Sequence, residues 1–236
     1  MRIAGVVAKM LYYLKKAAKP FKYSPLHIYY LNLKNRLRYG AMAPRFAEII
    51  WVKPRECSKA LASDTLKKVF GFSEHEIFGR VVESCWPLEE VRPITNLSLI
   101  KYCIEHWVHG VPWEDTGEYD RMEKRIRESP FGHSQGCRNR DDIIRRCENL
   151  DRIFEQAKQE GRLRTKEEIN PEKDWDLREM VMHIGPEGEL YKGGSGMHRF
   201  AIAYILDIPF PAQIGLVHVS AIPYLDDFRK RSRVDL

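Results

Sequence analysis

Nine residues, Lys192-Gly-Gly-Ser-Gly-Met-His-Arg-Phe200, constrain this chain more than any other stretch, because they lead without a break into the apolar helical pattern Phe200-Ala-Ile-Ala-Tyr-Ile-Leu206. A glycine-rich turn that opens a helix presents several free backbone N–H groups, and the helix dipole favours an anion beside them. His198 and Arg199 fall in the same first turn. Cations at that end oppose the dipole unless a negative group lies between them, and a phosphate answers that need. Two ordinary uses compete. Ser195 can be a plain N-cap, and His198 and Arg199 can pair with Asp207 or with a carboxylate from the body.

Beyond residue 47 the chain reads as mixed α and β. Glu48-Ile-Ile-Trp-Val52 predicts a strand stopped by Lys53-Pro54, and residues 57–70 predict a helix ending near Gly71. Ile100, Cys103, Ile104, Trp107 and Val108 share one helix face with Gly110 as the stop, and Tyr119, Met122 and Ile126 predict a second helix before Pro130. A polar loop covers 129–140. Ile143, Cys147, Leu150, Phe154 and Ala157 form a continuous stripe on a helix that starts at Asp141 or Asp142 and closes at Gly161. Met180–Ile184 and Glu189–Lys192 predict two strands around the turn Gly185-Pro-Glu-Gly188, and Gln213–Val219 predicts a last strand.

That order carries a family resemblance. A helix, then Val181-Met-His-Ile-Gly-Pro-Glu-Gly188, a glycine turn, His198-Arg199, an apolar helix, Leu206-Asp-Ile-Pro209 and a strand to Val217 resemble the ParB/sulfiredoxin superfamily over about residues 141–219, with the 48–52 strand as an addition. The resemblance implies a small mixed α/β fold that binds a nucleotide with its phosphates on the turn. It also implies several chemistries: CTP- and DNA-binding partition proteins, ATP-using sulfiredoxins and free-serine kinases. Met197 stands where a sulfiredoxin has its essential cysteine, and a thioether cannot form the thiol-linked intermediate. Ser195 stands where the kinase-like D-G-x-H-R phrase has aspartate. Only 30 residues follow Leu206, and they show no helix-turn-helix.

On this reading Gly194 and Gly196 let the backbone approach the phosphates without a Cβ clash, with Ser195 in the same turn. The amides of Met197, His198 and Arg199 hold them, Arg199 adds a two-pronged contact, His198 a further donor and Lys192 a flexible charge. Glu114 and Asp115, in a polar break between helices, are the candidate bases for activating an acceptor hydroxyl. The expected cofactor is a nucleoside di- or triphosphate with Mg2+ on the nucleotide. Cys103-x-x-His106-x-x-His109 has ligand-like spacing, but these positions drift around a helix and no fourth ligand is evident, so no protein metal site is expected. Trp107, Trp113 and Tyr119 read as core packing.

Charge divides the chain. Residues 1–47 hold ten Lys/Arg and no acidic residue, while the other 189 hold 29 basic and 33 acidic residues. Ile3, Val7, Met10, Leu14 and Ala17 recur at helical spacing among Lys9, Lys15, Lys16 and Lys19, and Pro20 ends that pattern. Such an arm seeks an anionic membrane surface or a nucleic acid, or packs on the body. The basic run Arg229-Lys-Arg-Ser-Arg233 suggests only solvation. No run of eighteen apolar residues exists, and five scattered cysteines without a CxxC pair fit reduced thiols, so the expected location is the cytoplasm, with a peripheral position at the membrane as the option the basic arm adds.

The sequence therefore predicts an α+β, ParB/sulfiredoxin-like mixed sheet with packed helices in residues 48–236, a helical insertion at about 90–140 and a basic arm at 1–47 containing a basic N-terminal helix. The expected function is nucleotide-dependent phosphoryl transfer to a small hydroxylated acceptor, or nucleotide hydrolysis. A nucleotide-gated DNA- or RNA-binding module and a peripheral membrane adaptor are the alternatives.

Overall fold

The computed structural model describes residues 24–72, 76–169 and 179–231. The helix expected over residues 3–17 lies outside them. The described chain is α+β, with a mixed seven-stranded sheet flanked by helices. Its strands are β1 (Ile49–Val52), β2 (Lys59–Ala60), β3 (Arg80–Val82), β4 (Arg92–Pro93), β5 (Met180–Ile184), β6 (Leu190–Lys192) and β7 (Phe210–His218). The order is β1-β7-β5-β6-β2-β4, and β3 also pairs with β7. β7 organises the sheet: it runs antiparallel to β1 and parallel to β5 and β3.

The helices are α1 (Pro25–Tyr39), α2 (Ser63–Phe70), α3 (Ser98–Trp107), α4 (Trp113–Thr116), α5 (Glu118–Glu128), α6 (Arg140–Glu160), α7 (Lys166–Ile169), α8 (Met197–Leu206) and α9 (Leu225–Lys230). Helices α3 to α7 all fall between β4 and β5 in the chain. On α6 the stripe Ile143, Cys147, Leu150, Phe154 and Ala157 is buried, as its spacing requires. Its cap is Asn139, whose Oδ1 accepts from the Asp142 amide at 2.9 Å, rather than either aspartate.

Both faces of the sheet are covered. Met180, Met182 and Ile184 of β5 join Phe210, Ala212 and Ile214 of β7 in the larger core, together with Phe200, Ile202 and Ala203 of α8. Val181, Tyr191 and Leu216 point the other way, into a second core with Leu61, Leu66 and Trp86. Each large side chain so buried contributes roughly 1.5–3 kcal/mol of transfer free energy. Burial on both faces explains why β7 is longer than the sequence suggested. Phe210 to Val217 is buried without interruption, so the strand has no alternation to mark it, and Pro211 is accommodated in the pair with Trp51.

Three other features have tertiary causes. Residues 57–70 are not one helix, because Lys59 and Ala60 pair in parallel with Tyr191 and Lys192 before α2 begins. The hairpin register leaves His183 fully buried on β5, where side chains at Gly193 and Gly215 would strike its ring, at 2.9 and 2.5 Å from its nitrogens. The C-terminal basic run does not merely solvate. Arg229 holds Glu48 at 2.6 Å and caps the carbonyls of Met42 and Ala43, and Arg231 pairs with Glu56.

Candidate functional site

The glycine turn is shaped by what lies behind it. Lys192, expected to be a flexible charge, is fully buried. Its ammonium donates to the Gly193 carbonyl at 2.6 Å and to the Ser195 carbonyl, tying the turn together rather than reaching outward. Gly196 caps α8 with φ 74°, and a Cβ there would lie 2.8 Å from Met180 Cγ. Its need for glycine is therefore internal: left-handed backbone and contact with the strand. Ser195 is not the N-cap, and no side chain caps this helix. The first helical bond runs from the Phe200 amide to the Gly196 carbonyl, at 2.9 Å. The amides of Met197, His198 and Arg199 have no acceptor among the described residues.

His198 and Arg199 are both buried, and each meets a carboxylate from the body rather than Asp207, which pairs with Arg55. His198 Nε2 lies 3.3 Å from Glu118 Oε1. Burial drives the His198 pKa below the usual imidazole value, against the pull of Glu118, so the ring is neutral and donates through Nε2, which leaves Nδ1 as its acceptor. Burial also works against ionised Glu118, but hydrogen bonds from Arg121 and His198 outweigh it and hold the carboxyl below its ordinary value. Arg121 grips Glu118 with two bonds, 2.6 and 2.5 Å. Sequence reasoning missed Glu118. Its only trace was its position in the first turn of α5, one residue past the Gly117 that separates α4 from α5.

Arg199 donates through Nη2 to the Arg164 carbonyl at 2.6 Å and stands 3.2 Å from Glu179 Oε2 without hydrogen-bond alignment. Its Nε and Nη1 are buried and have no partner among the described residues. Burial lowers the Arg199 pKa, partly offset by Glu179.

The turn, His198 and Arg199 border one cavity of about 770 Å³, a volume in the ordinary range for small-molecule sites. Residues 194–199 form one wall. The cations on its lining are Arg121 and Arg125 of α5, Arg146 of α6, Arg162, Arg164 and Lys166 in the segment that follows, and Arg199 of α8. Among the described residues no Asp or Glu is on that lining. Several of these cations have carboxylates behind them: Arg162 meets Glu168 at 2.6 Å, and Arg164 meets Glu160 at 2.5 Å. Arg125 and Arg146 have neither an ion pair nor a hydrogen bond among the described residues, and Arg146 Nε is buried. Aliphatic side chains, among them Leu97, Leu150, Ile153 and Leu163, complete the wall. Except for Lys192, every residue expected to hold phosphate, from Gly194 to Arg199, lines this cavity.

Glu114 and Asp115 do not. They are exposed on α4 and absent from the lining, so the expected pair of bases is not brought to the turn. The neighbouring aromatics do a structural job: Asp151 Oδ1 accepts from Trp107 Nε1 at 2.9 Å and Trp113 Nε1 at 3.0 Å, and His106 stacks on Trp113 with centroids 4.1 Å apart. His106 Nε2 also meets Asp151, at 3.1 Å, which spends that histidine on packing rather than on a metal. Among the described residues no group of three or more His, Cys, Asp or Glu is placed to hold a metal ion. All five cysteines are free, and burial pushes the Cys57 and Cys147 thiols up to about 12. No helix among the described residues is long and apolar enough to cross a membrane.

Comparison with protein-family models, with curated proteins and with solved structures finds no match for this chain. The chemistry of the cavity therefore rests on its own geometry.

Proposed function

We propose that this cavity binds a nucleoside polyphosphate, with the phosphates at the N-terminus of α8 and among Arg125, Arg146 and Arg199. One observation carries the reading: seven Arg and Lys residues meet a helix N-terminus on a lining that has no carboxylate among its described residues. Positive groups so gathered repel one another, and an anion with several charges relieves that cost. The ParB/sulfiredoxin resemblance supports a nucleotide as that anion, and the aliphatic wall suits the faces of a base and sugar. A divalent ion on the nucleotide would be held by phosphate oxygens and water, since the lining offers no acidic ligand among the described residues.

The same lining weighs binding against transfer. Phosphoryl transfer to a hydroxyl needs a base near the acceptor oxygen. Among the described lining residues His198 is the one able to serve, with neutral Nδ1 as acceptor and Glu118 orienting the ring. Binding is thus the primary function we infer, with hydrolysis or transfer at His198 as the activity such a site would run.

The test is a thermal-shift screen of ATP, CTP, GTP and ADP, with and without magnesium, followed by a product assay on any hit. A ligand present at 100 times its Kd stabilises by about 2.7 kcal/mol, which raises Tm by several degrees. No shift from any of them at millimolar concentration would overturn the reading.

A further inference from the structure

Helix α1 carries a face that no described residue covers. Its inner side is fixed by polar contacts: Asn32 Oδ1 accepts from the Phe46 amide at 2.7 Å, and Asn35 Nδ2 donates to the carbonyls of Pro44 and Gly79, both at 2.8 Å. Arg38 and Tyr39 both reach Glu83, each at 2.9 Å. No residue of the helix is buried. On the outer side stand Leu26 (82% exposed), Tyr29, Tyr30, Leu33 and Leu37 (79% exposed). At 100° per residue Leu26, Tyr30, Leu33 and Leu37 fall in one narrow stripe, with Tyr29 beside it. Lys34 and Arg36 flank that stripe on its two sides, and Arg38 lies further round beyond Lys34.

We propose that this face is a docking surface for an anionic lipid bilayer. An apolar stripe bordered by cations, on a helix pinned to the body by its opposite side, is the arrangement of a helix that lies in the membrane interface. Tyrosines sit well at headgroup depth, with the ring in the apolar layer and the hydroxyl in water. Charge decides among occupants. Residues 24–47 contain no acidic side chain, so a second copy would set cation against cation along both borders. A nucleic acid would satisfy the cations but leave three exposed leucines against phosphate. An anionic bilayer satisfies both borders and stripe. This surface is independent of the cavity.

The experiment is co-sedimentation of the full chain with vesicles of phosphatidylcholine alone and with phosphatidylglycerol added. Binding to the anionic vesicles alone is expected. The double variant Leu26→Asp, Leu37→Asp should reduce the bound fraction constant at least tenfold with circular dichroism unchanged, since both side chains are exposed, and Leu26→Met, Leu37→Met should retain it. Failure to bind anionic vesicles would overturn the proposal. Binding indifferent to the Asp variant would overturn it too, by assigning the affinity to another part of the chain. A concentration-dependent dimer abolished by the same variant, without vesicle binding, would give the face to a second copy instead.

Discussion

At the scale of the residue, two histidines are held neutral by burial, and they differ in purpose. His183 accepts the Leu216 amide through Nδ1 at 3.0 Å, so its proton is on Nε2, which has no partner among the described residues. Burial, with Lys192 adding to it, takes its pKa down to about 3. His198 has a partner in Glu118 and borders the cavity. For both, the folded value lies below that of the unfolded chain, near 6.5. The unfolded chain therefore takes up protons that the folded chain refuses as pH falls below that value. Stability is full above about pH 6.5, and His183 alone removes about 1.4 kcal/mol for each pH unit between roughly 5.5 and 4. Urea denaturation across that range checks this. A slope unaffected by His183→Gln would show that the ring is not the group responsible.

At the scale of the element, the turn before α8 is where sequence and structure meet most closely. Its glycines, its place at a helix N-terminus and its two cations were all legible, because they follow from local backbone chemistry. The helices α5 and α6 were legible for the same reason, as were β1, β5 and β6, through periodicity and turn residues. Long-range pairing hid the rest. β2, β3 and β4 are two or three residues long and exist only because other strands pair with them. Lys192 read as a flexible charge for the phosphates, since nothing in the sequence tells that its ammonium turns back onto Gly193 and Ser195. The basic wall of the cavity was invisible, because Arg121 and Arg125 sit on α5, Arg146 on α6 and Arg162 in the loop after it, each looking like a solvated charge. Gly196 permits a test at this scale. Gly196→Ala puts a methyl into left-handed backbone and against Met180. It should cost about 1–3 kcal/mol in chemical denaturation. Unchanged stability would mean that the turn adopts another conformation.

At the scale of the whole molecule, charge is sorted. The surface carries ordinary ion pairs such as Lys68–Glu90 and Arg38–Glu83, worth little each. The cavity instead gathers cations whose carboxylate partners, Glu118, Glu160, Glu168 and Glu179, stay off its lining. Arg125 and Arg146 have no such partner among the described residues, and they are the groups an entering anion would meet first. Ligand binding here should weaken as salt rises, because Coulomb attraction to a partly open site is screened.

The most direct measurement is a calorimetric titration of ATP, and separately of inorganic tripolyphosphate, into the wild-type chain and into Arg146→Ala and Arg125→Ala. Neither arginine has an ion pair or hydrogen bond among the described residues, so neither substitution breaks one that holds the fold. Loss of one charge-assisted hydrogen bond is worth about 1.5–3 kcal/mol, so each variant should bind roughly 10- to 100-fold more weakly at unchanged Tm of the free protein. Equal affinity in the wild type and both variants, or no heat from either anion, would contradict the account.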